Sequence, residues 1–264
     1  MSAERAPDDA AWQAFQRKLE GAIGIPLAHY REPQMKRRLA TLMRRLKLAD
    51  WPDFSRALRD DAVLEEIRHT LTINVSEFFR QPDRFEELRQ VHFPALLAER
   101  PRLKLWSAGC SIGCEPYTLA ILLQELSPDA HHSVLATDVD FGARSQAREG
   151  SYSPADVRSV PSALLEKYFE FDGERYLVRA ALKRQVTFRH HDLLNDDYPT
   201  ELDLVLCRNV VIYFTDEAKM RIHERFAASL RPGGLLFVGG SEMLAHPGDY
   251  GLVSAATGFY HKAA

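Results

Sequence analysis

Cysteine, net charge and long apolar runs are all scarce in this chain. The three cysteines, Cys110, Cys114 and Cys207, are odd in number and set no disulfide framework, which points to a reducing compartment. Cys110 and Cys114 lack a second Cys or His pair at ligand spacing, so no metal site is predicted. No N-terminal apolar stretch reads as a signal peptide and no run is long enough to span a bilayer, so a cytoplasmic protein is expected. A formal net charge of −3 over 264 residues argues against a dedicated nucleic-acid binder. Internal repeats and low-complexity linkers are absent as well. The glycine-bearing turn described below lacks G-K-[ST], which excludes a P-loop, and lacks the opening G-x-G of a dinucleotide fingerprint.

What is present falls into two grammars. In the first third, Trp12, Phe15, Leu19, Ala22 and Ile23 recur at helical spacing, as do Met35, Leu39, Leu42, Met43 and Leu46. Two further amphipathic helices are predicted around 52–60 and 62–72. From about residue 103 strands alternate with helices. The strand candidates are "LKLWSA" (103–108), "SVLATDVD" (133–140), "LDLVLCRN" (202–209) and "RPGGLLFVGGSE" (231–242). Helices are predicted from about Pro116, through about Arg148, and from Asp216 to Leu230. Such alternation implies an α/β fold with a parallel, doubly wound sheet. Residues 151–190 interrupt it, and the Asp172–Gly173 turn predicts a small antiparallel insert there. The tail is expected to form two short strands. The domains expected are 1–84, helical, and 85–264, carrying the insert.

The stretch "WSAGCSIGCEPYTLAILL" (106–123) is a strand, a turn with Gly109 and Gly113, and an apolar helix. Ligands of open α/β sheets bind beyond the carboxyl ends of the strands. Asp138, ending the next strand, stands where ribose hydroxyls would be held. A sparse glycine loop plus this acid fits S-adenosylmethionine, which has a ribose but no pyrophosphate. Tight strand–helix packing is the other account of the glycines, and a helix cap is the other account of Asp138. A second informative stretch is "QMKRRLATLMRRLKL" (34–48), an amphipathic helix with a strongly basic face and no acid within it. In a chain of net negative charge this predicts either a solvated face or an acidic partner.

Three segments, "TINVSEFFR" (72–80), "WSAGCSIGCEPYTLA" and "CRNVVIYF" (207–214), together resemble the CheR family of chemotaxis-receptor glutamate O-methyltransferases. The resemblance runs from the N-terminal helices to "GGLLFVGGSE". It implies a Rossmann-like class I methyltransferase sheet with an N-terminal all-helical domain and a small antiparallel β insert. It also implies S-adenosyl-L-methionine as cofactor, S-adenosyl-L-homocysteine as product, and Glu-rich receptor methylation helices as partner. On this reading the protein is a monomer, meets a membrane only through its receptor, and holds no nucleic acid stably.

By the same resemblance Asn74, Ser76, Arg80, Gly109, Glu115, Asp138, Asp192, Leu193, Arg208 and Asn209 line the cofactor site. Arg80 and Tyr213 stand by the transferred methyl group, and Arg38 and Arg44 contact substrate. The chain departs from the family in having Ser76 for Thr, Cys114 for the first Glu of a pair, and Asp192 for Asn. Its insert is shorter than in members that dock on a receptor's C-terminal pentapeptide. Methyl transfer to a glutamate needs no general base, because the carboxylate, with a pKa of about 4.3, is ionised at neutral pH. Two other readings are a nucleic-acid N-methyltransferase, suggested by "NVVIY", and a receptor scaffold that binds the cofactor without turnover.

Overall fold

Apolar residues at helical spacing give the first element, Arg5–Ile23, in a computed structural model that describes residues 5–72 and 76–263. Three more helices follow at Glu32–Arg45, Trp51–Ala57 and Asp61–Thr72. The third begins where the Asp50 carboxylate accepts the Asp53 N–H at 2.8 Å, an N-cap that satisfies one orphan donor. These helices close on Trp12, Phe15, Leu19, Leu27, Leu39, Phe54 and Ile67, all essentially without exposed surface. Trp12 and Trp51 meet edge to face at 4.8 Å, and Phe15 stacks on Phe54 at the same distance. Ala22, predicted on the buried stripe, is exposed, while Ile23 beside it is partly buried against this core. The helices form one unit of the chain, Met1–Ile73 together with Tyr213–Lys219.

The second unit, Asn74–Ile212 with Met220–Ala264, is built on a seven-stranded sheet. Its strands are β1 (Lys104–Ala108), β2 (Ser133–Asp138), β3 (Val186–His190), β4 (Leu202–Cys207), β5 (Leu230–Val238), β6 (Leu252–Ala256) and β7 (Phe259–Lys262). The spatial order is β3-β2-β1-β4-β5-β7-β6. β1 to β5 are parallel, and β7 runs antiparallel to both β5 and β6. Strand order reverses between β1 and β4, so that crevice is the switch point. The Cys114–Leu126 helix follows β1 and is buried along its whole first ten residues, which is why its apolar residues show little one-sidedness. It starts two residues before the predicted Pro116, with Gly113 at its N-cap.

Val186–His190, which the sequence reading includes in the insert, is a strand of the main sheet. Its apolar Val186 and Phe188 alternate with polar residues, so it reads as half-buried from sequence and is claimed by the edge of the sheet. The remaining insert is a three-stranded antiparallel sheet, with Tyr176–Val178 between Ser151–Tyr152 and Phe169–Phe171, around the predicted Asp172–Gly173 turn. No helix among the described residues is long and apolar enough to cross a membrane. Nor does any group of three or more His, Cys, Asp or Glu among them make a metal site, and all three cysteines are buried and free.

A candidate cofactor site at the carboxyl edge of the sheet

The two glycines of the first turn are explained by what surrounds them. Gly109 has φ +74°, and a Cβ there would lie 2.4 Å from Cγ2 of Val210, in the turn after β4. Gly113 has φ +91°, and its Cβ would lie 2.8 Å from that of Ala147 and 3.0 Å from the Tyr152 hydroxyl. Only glycine fits either position. Tight packing of protein on protein accounts for both residues, and it brings the turn hard against the loop after β4.

The turn is then tied to Asp138 at the end of β2. Gly109 and Cys110 both donate to the Thr137 carbonyl, at 2.8 and 2.9 Å. Ser111, in the left-handed region at φ +48°, donates its N–H to one oxygen of Asp138 at 2.8 Å, and Asp140 donates to the other at 2.9 Å. Asp138 is therefore not the cap of the following helix, Phe141–Glu149; that role belongs to Asp140, which accepts from Ala143 at 2.9 Å. Burial pushes the Asp138 carboxyl up, against the lowering effect of these two N–H donors.

Register places the remaining candidates beside it. Asp138 pairs with His190 across β2 and β3, so Asp192 and Leu193 follow shortly after the residue opposite Asp138. The Asp192 carboxylate accepts from the Leu194 N–H at 2.8 Å and from the Asn195 amide at 2.7 Å. The Leu193 carbonyl accepts from Tyr198 and Arg225, which fixes the loop.

Across the switch point, Glu115, on the helix after β1, and Arg208, just after β4, form a buried ion pair at 2.6 Å. Arg208 also donates to the Arg80 carbonyl at 3.0 Å and to the Gln81 side chain, and lies over the rings of Phe85 and Phe237 at 5.2 and 4.9 Å. Its side chain has no exposed surface, so it reaches any ligand only through Glu115. Burial raises the Glu115 carboxyl, opposed by the charges of Arg208 and then Arg80. Ser76 hydrogen-bonds Cys114, whose thiol is pushed up by burial. Backbone in the left-handed region recurs at non-glycine residues here: Phe79, Gln81, Ser111 and Asn209. Such strain is held only where the surroundings over-determine it, and it clusters at functional sites.

Two residues that sequence reasoning assigned no role complete the edge. Gln81 meets Arg208. Glu242, buried in the turn after β5, accepts from Val210 N–H at 2.8 Å, from Gly239 N–H at 3.2 Å and from Asn209 N–H. The only signal for it is an acid after two glycines at a strand end, in "GGSE".

Ser76, Arg80, Gly109, Glu115, Asp138, Asp192, Leu193, Arg208 and Asn209 thus all lie in the sheet-bearing unit. Asn74 lies outside the described residues. Arg38, Arg44 and Tyr213 belong to the helical unit. There the Arg38 guanidinium sits 4.4 Å from the Tyr213 ring centroid and donates to the Leu71 carbonyl at 3.2 Å. Arg44 is exposed and donates to Thr41 at 3.1 Å. The basic helix is less uniform than its sequence: Lys36 pairs with Asp9 at 2.9 Å and Arg45 pairs with Glu66.

Chemically, this edge gathers desolvated carboxylates, Glu115 and Asp138, on either side of a close-packed turn. A bound cation would offset the cost of their burial, and free lone pairs on Asp138 suit vicinal hydroxyls. A ligand with an ammonium, a sulfonium and a ribose fits this set of acceptors. A parallel sheet in this order, ending in an antiparallel seventh strand and carrying such an edge, defines a class I S-adenosylmethionine-dependent methyltransferase.

The chain belongs to the CheR methyltransferase family. Residues 74–259 match its SAM-binding domain and residues 10–72 its all-alpha domain. It is 39% identical over 250 residues to a chemotaxis protein methyltransferase of Listeria monocytogenes, covering 94% of this chain and 95% of that protein. It is 32% identical over 270 residues to chemotaxis protein methyltransferase 1 of Pseudomonas aeruginosa, covering 97% and 98%.

Proposed function

We propose that this protein methylates glutamate side chains of chemoreceptors or related sensory proteins, giving glutamate methyl esters. The observation that carries the reading is the buried Arg80–Glu115–Arg208 cluster at the switch point, with Asp138 at the end of the neighbouring β2, in a chain whose relatives are named for chemotaxis. In this reading Glu115 receives the ammonium of S-adenosylmethionine and Asp138 its ribose hydroxyls. Asn74, Ser76, Gly109, Asp192, Leu193 and Asn209 complete the pocket, and Arg208 acts by holding Glu115. The bound cofactor supplies an electrophilic methyl group.

The protein's own task is placement. Arg80 orients a carboxylate by charge-assisted hydrogen bonding, and Tyr213 supplies the aromatic residue that the family resemblance assigns to methyl transfer. No residue is needed to remove a proton. Cations of the Glu32–Arg45 helix, Arg38 and Arg44 foremost, attract Glu-rich receptor helices, and Arg38 also lies over the Tyr213 ring. The protein acts as a monomer and approaches membranes only through its receptor.

The test is incubation with labelled methyl donor and purified chemoreceptor. Label is expected on receptor glutamates as a base-labile ester. Label that resists mild base, or that falls only on nucleic acid, overturns the reading.

A further inference from the structure

Glu242 is 5% exposed, yet no ion pair among the described residues joins it to a cation. Backbone N–H groups surround its carboxylate instead: Asn209, Val210 and Gly239, with Ile212 contributing a further hydrogen bond. These donors come from two separate turns, those after β4 and β5. The approach leaves no room for a side chain at Gly239, where a Cβ would lie 2.4 Å from Oε2 of Glu242. Burial raises the carboxyl, and the four N–H groups oppose that rise by favouring the charged form.

Two lines lead from this carboxylate to the first turn. Along one, Glu242 holds the N–H of Val210, whose side chain fills the space at Gly109. Along the other it holds the N–H of Asn209, a non-glycine residue at φ +60°. The residue before Asn209 is Arg208, which pairs with Glu115. A loop kept in the left-handed region needs an external partner, and Glu242 is that partner.

We propose that Glu242 is a positioning residue for the cofactor site: it fixes the Asn209–Ile212 backbone and, through Arg208 and Val210, sets Glu115 and the glycine turn. The inference rests on the proposed role of Glu115 toward the cofactor. Glu242 itself needs no contact with ligand or substrate.

The full chain carrying Glu242→Gln tests it. Glutamine keeps the volume, but it turns an NH2 group toward amide donors. The expected result is a Kd for S-adenosylhomocysteine raised roughly tenfold or more by calorimetry, the scale of leaving one buried donor unmet. Hydrogen exchange should quicken at residues 209–212 while β1 and β4 stay protected. An unchanged Kd overturns the proposal. So does exchange that quickens evenly across the sheet, because that is loss of global stability alone. Should the glutamine variant fail to fold, Gly239→Ala serves: its methyl displaces the carboxylate without removing its charge. The same local exchange and weaker binding are expected, and wild-type affinity overturns the proposal. Glu115→Gln separates the two readings. If it leaves affinity intact, the pocket assignment fails. If it weakens binding while Glu242→Gln does not, only the Glu242 inference fails.

Discussion

Arg208 donates to Glu115 across 2.6 Å while lying over the rings of Phe85 and Phe237, and neither side chain of the pair is more than about a tenth exposed. A buried pair of this kind is a poor source of net stability, yet breaking it is costly because the survivor stays charged and dry. Arg208→Ala is therefore expected to lower the unfolding free energy by about 3–5 kcal/mol. Urea denaturation checks this. The double variant Arg208→Ala/Glu115→Gln should recover part of the loss, since no charge is then stranded; no recovery would mean that the pair's energetic role is elsewhere.

Asp138 spends one lone pair of each oxygen on Ser111 and Asp140. Asp138→Ala removes both anchors along with the proposed ribose contact. Binding of S-adenosylhomocysteine is expected to weaken by about 1–3 kcal/mol. Calorimetry on the folded variant reads it, and equal affinity would make Asp138 an anchor of the turn only.

Arg80 lies between two residues in the left-handed region, Phe79 and Gln81, and its charge acts on Glu115. Arg80→Ala should abolish most turnover while thermal melting shifts little, because an active-site cation is seldom a stabilising surface element. Near-wild-type turnover at saturating substrates would remove Arg80 from the placement of the carboxylate.

The basic helix is expected to separate two effects. Arg38 and Arg44 stand about 120° apart around a helix of 3.6 residues per turn, whereas Arg37 and Arg44 agree to within about 20°. Arg37 and Arg44 are both exposed, while Arg38 is half-buried against Tyr213. Arg37→Ala/Arg44→Ala should raise the KM for receptor and flatten its dependence on salt, because exposed charges are screened beyond about 8–10 Å at moderate ionic strength. Arg38→Ala should lower kcat more than it raises KM. Steady-state kinetics with purified receptor decide both, and unchanged KM with an unchanged salt profile would leave the face merely solvated.

His132 accepts the Leu103 N–H through Nδ1 at 3.2 Å, and burial lowers its pKa below 6.5. His92 and His191 are lowered for the same reason. The unfolded chain thus takes up these protons at higher pH than the folded one. Their contribution is complete above the unfolded value and is lost as pH falls below it toward the lowered folded values. The buried acids Glu115, Asp138 and Glu242 have raised pKa values and give the opposite slope at more acid pH. Comparing wild type with His132→Gln isolates one histidine. Their difference in urea midpoint should shrink between about pH 7.5 and about pH 5.5; a constant difference would show that His132 does not titrate with unfolding.

The alternation of strands and helices after residue 103 and the apolar periodicity before it are local properties. For that reason β1, β2, β4, β5 and the N-terminal helices are legible as sequence, as is the turn at Asp172–Gly173. The carboxyl edge is legible too, because a strand end followed by a glycine turn or an acid is written in consecutive residues. What only the tertiary structure decided is which group each of these residues meets. β3 reads as part of the insert until β2 offers it a ladder. Asp138 reads as a possible helix cap until the fold gives that place to Asp140, which accepts from Ala143, and turns Asp138 toward Ser111. Arg208, Asn209 and Glu242 join turns from different strands, and no periodicity records a hydrogen bond between residues 33 positions apart. The same holds for the basic helix: its charges are plain in the sequence, but Asp9, Glu66 and Tyr213, which claim three of them, are brought there by packing of segments far apart in the chain. Burial then makes each such contact consequential, because a charge removed from water must find its partner where the fold puts it.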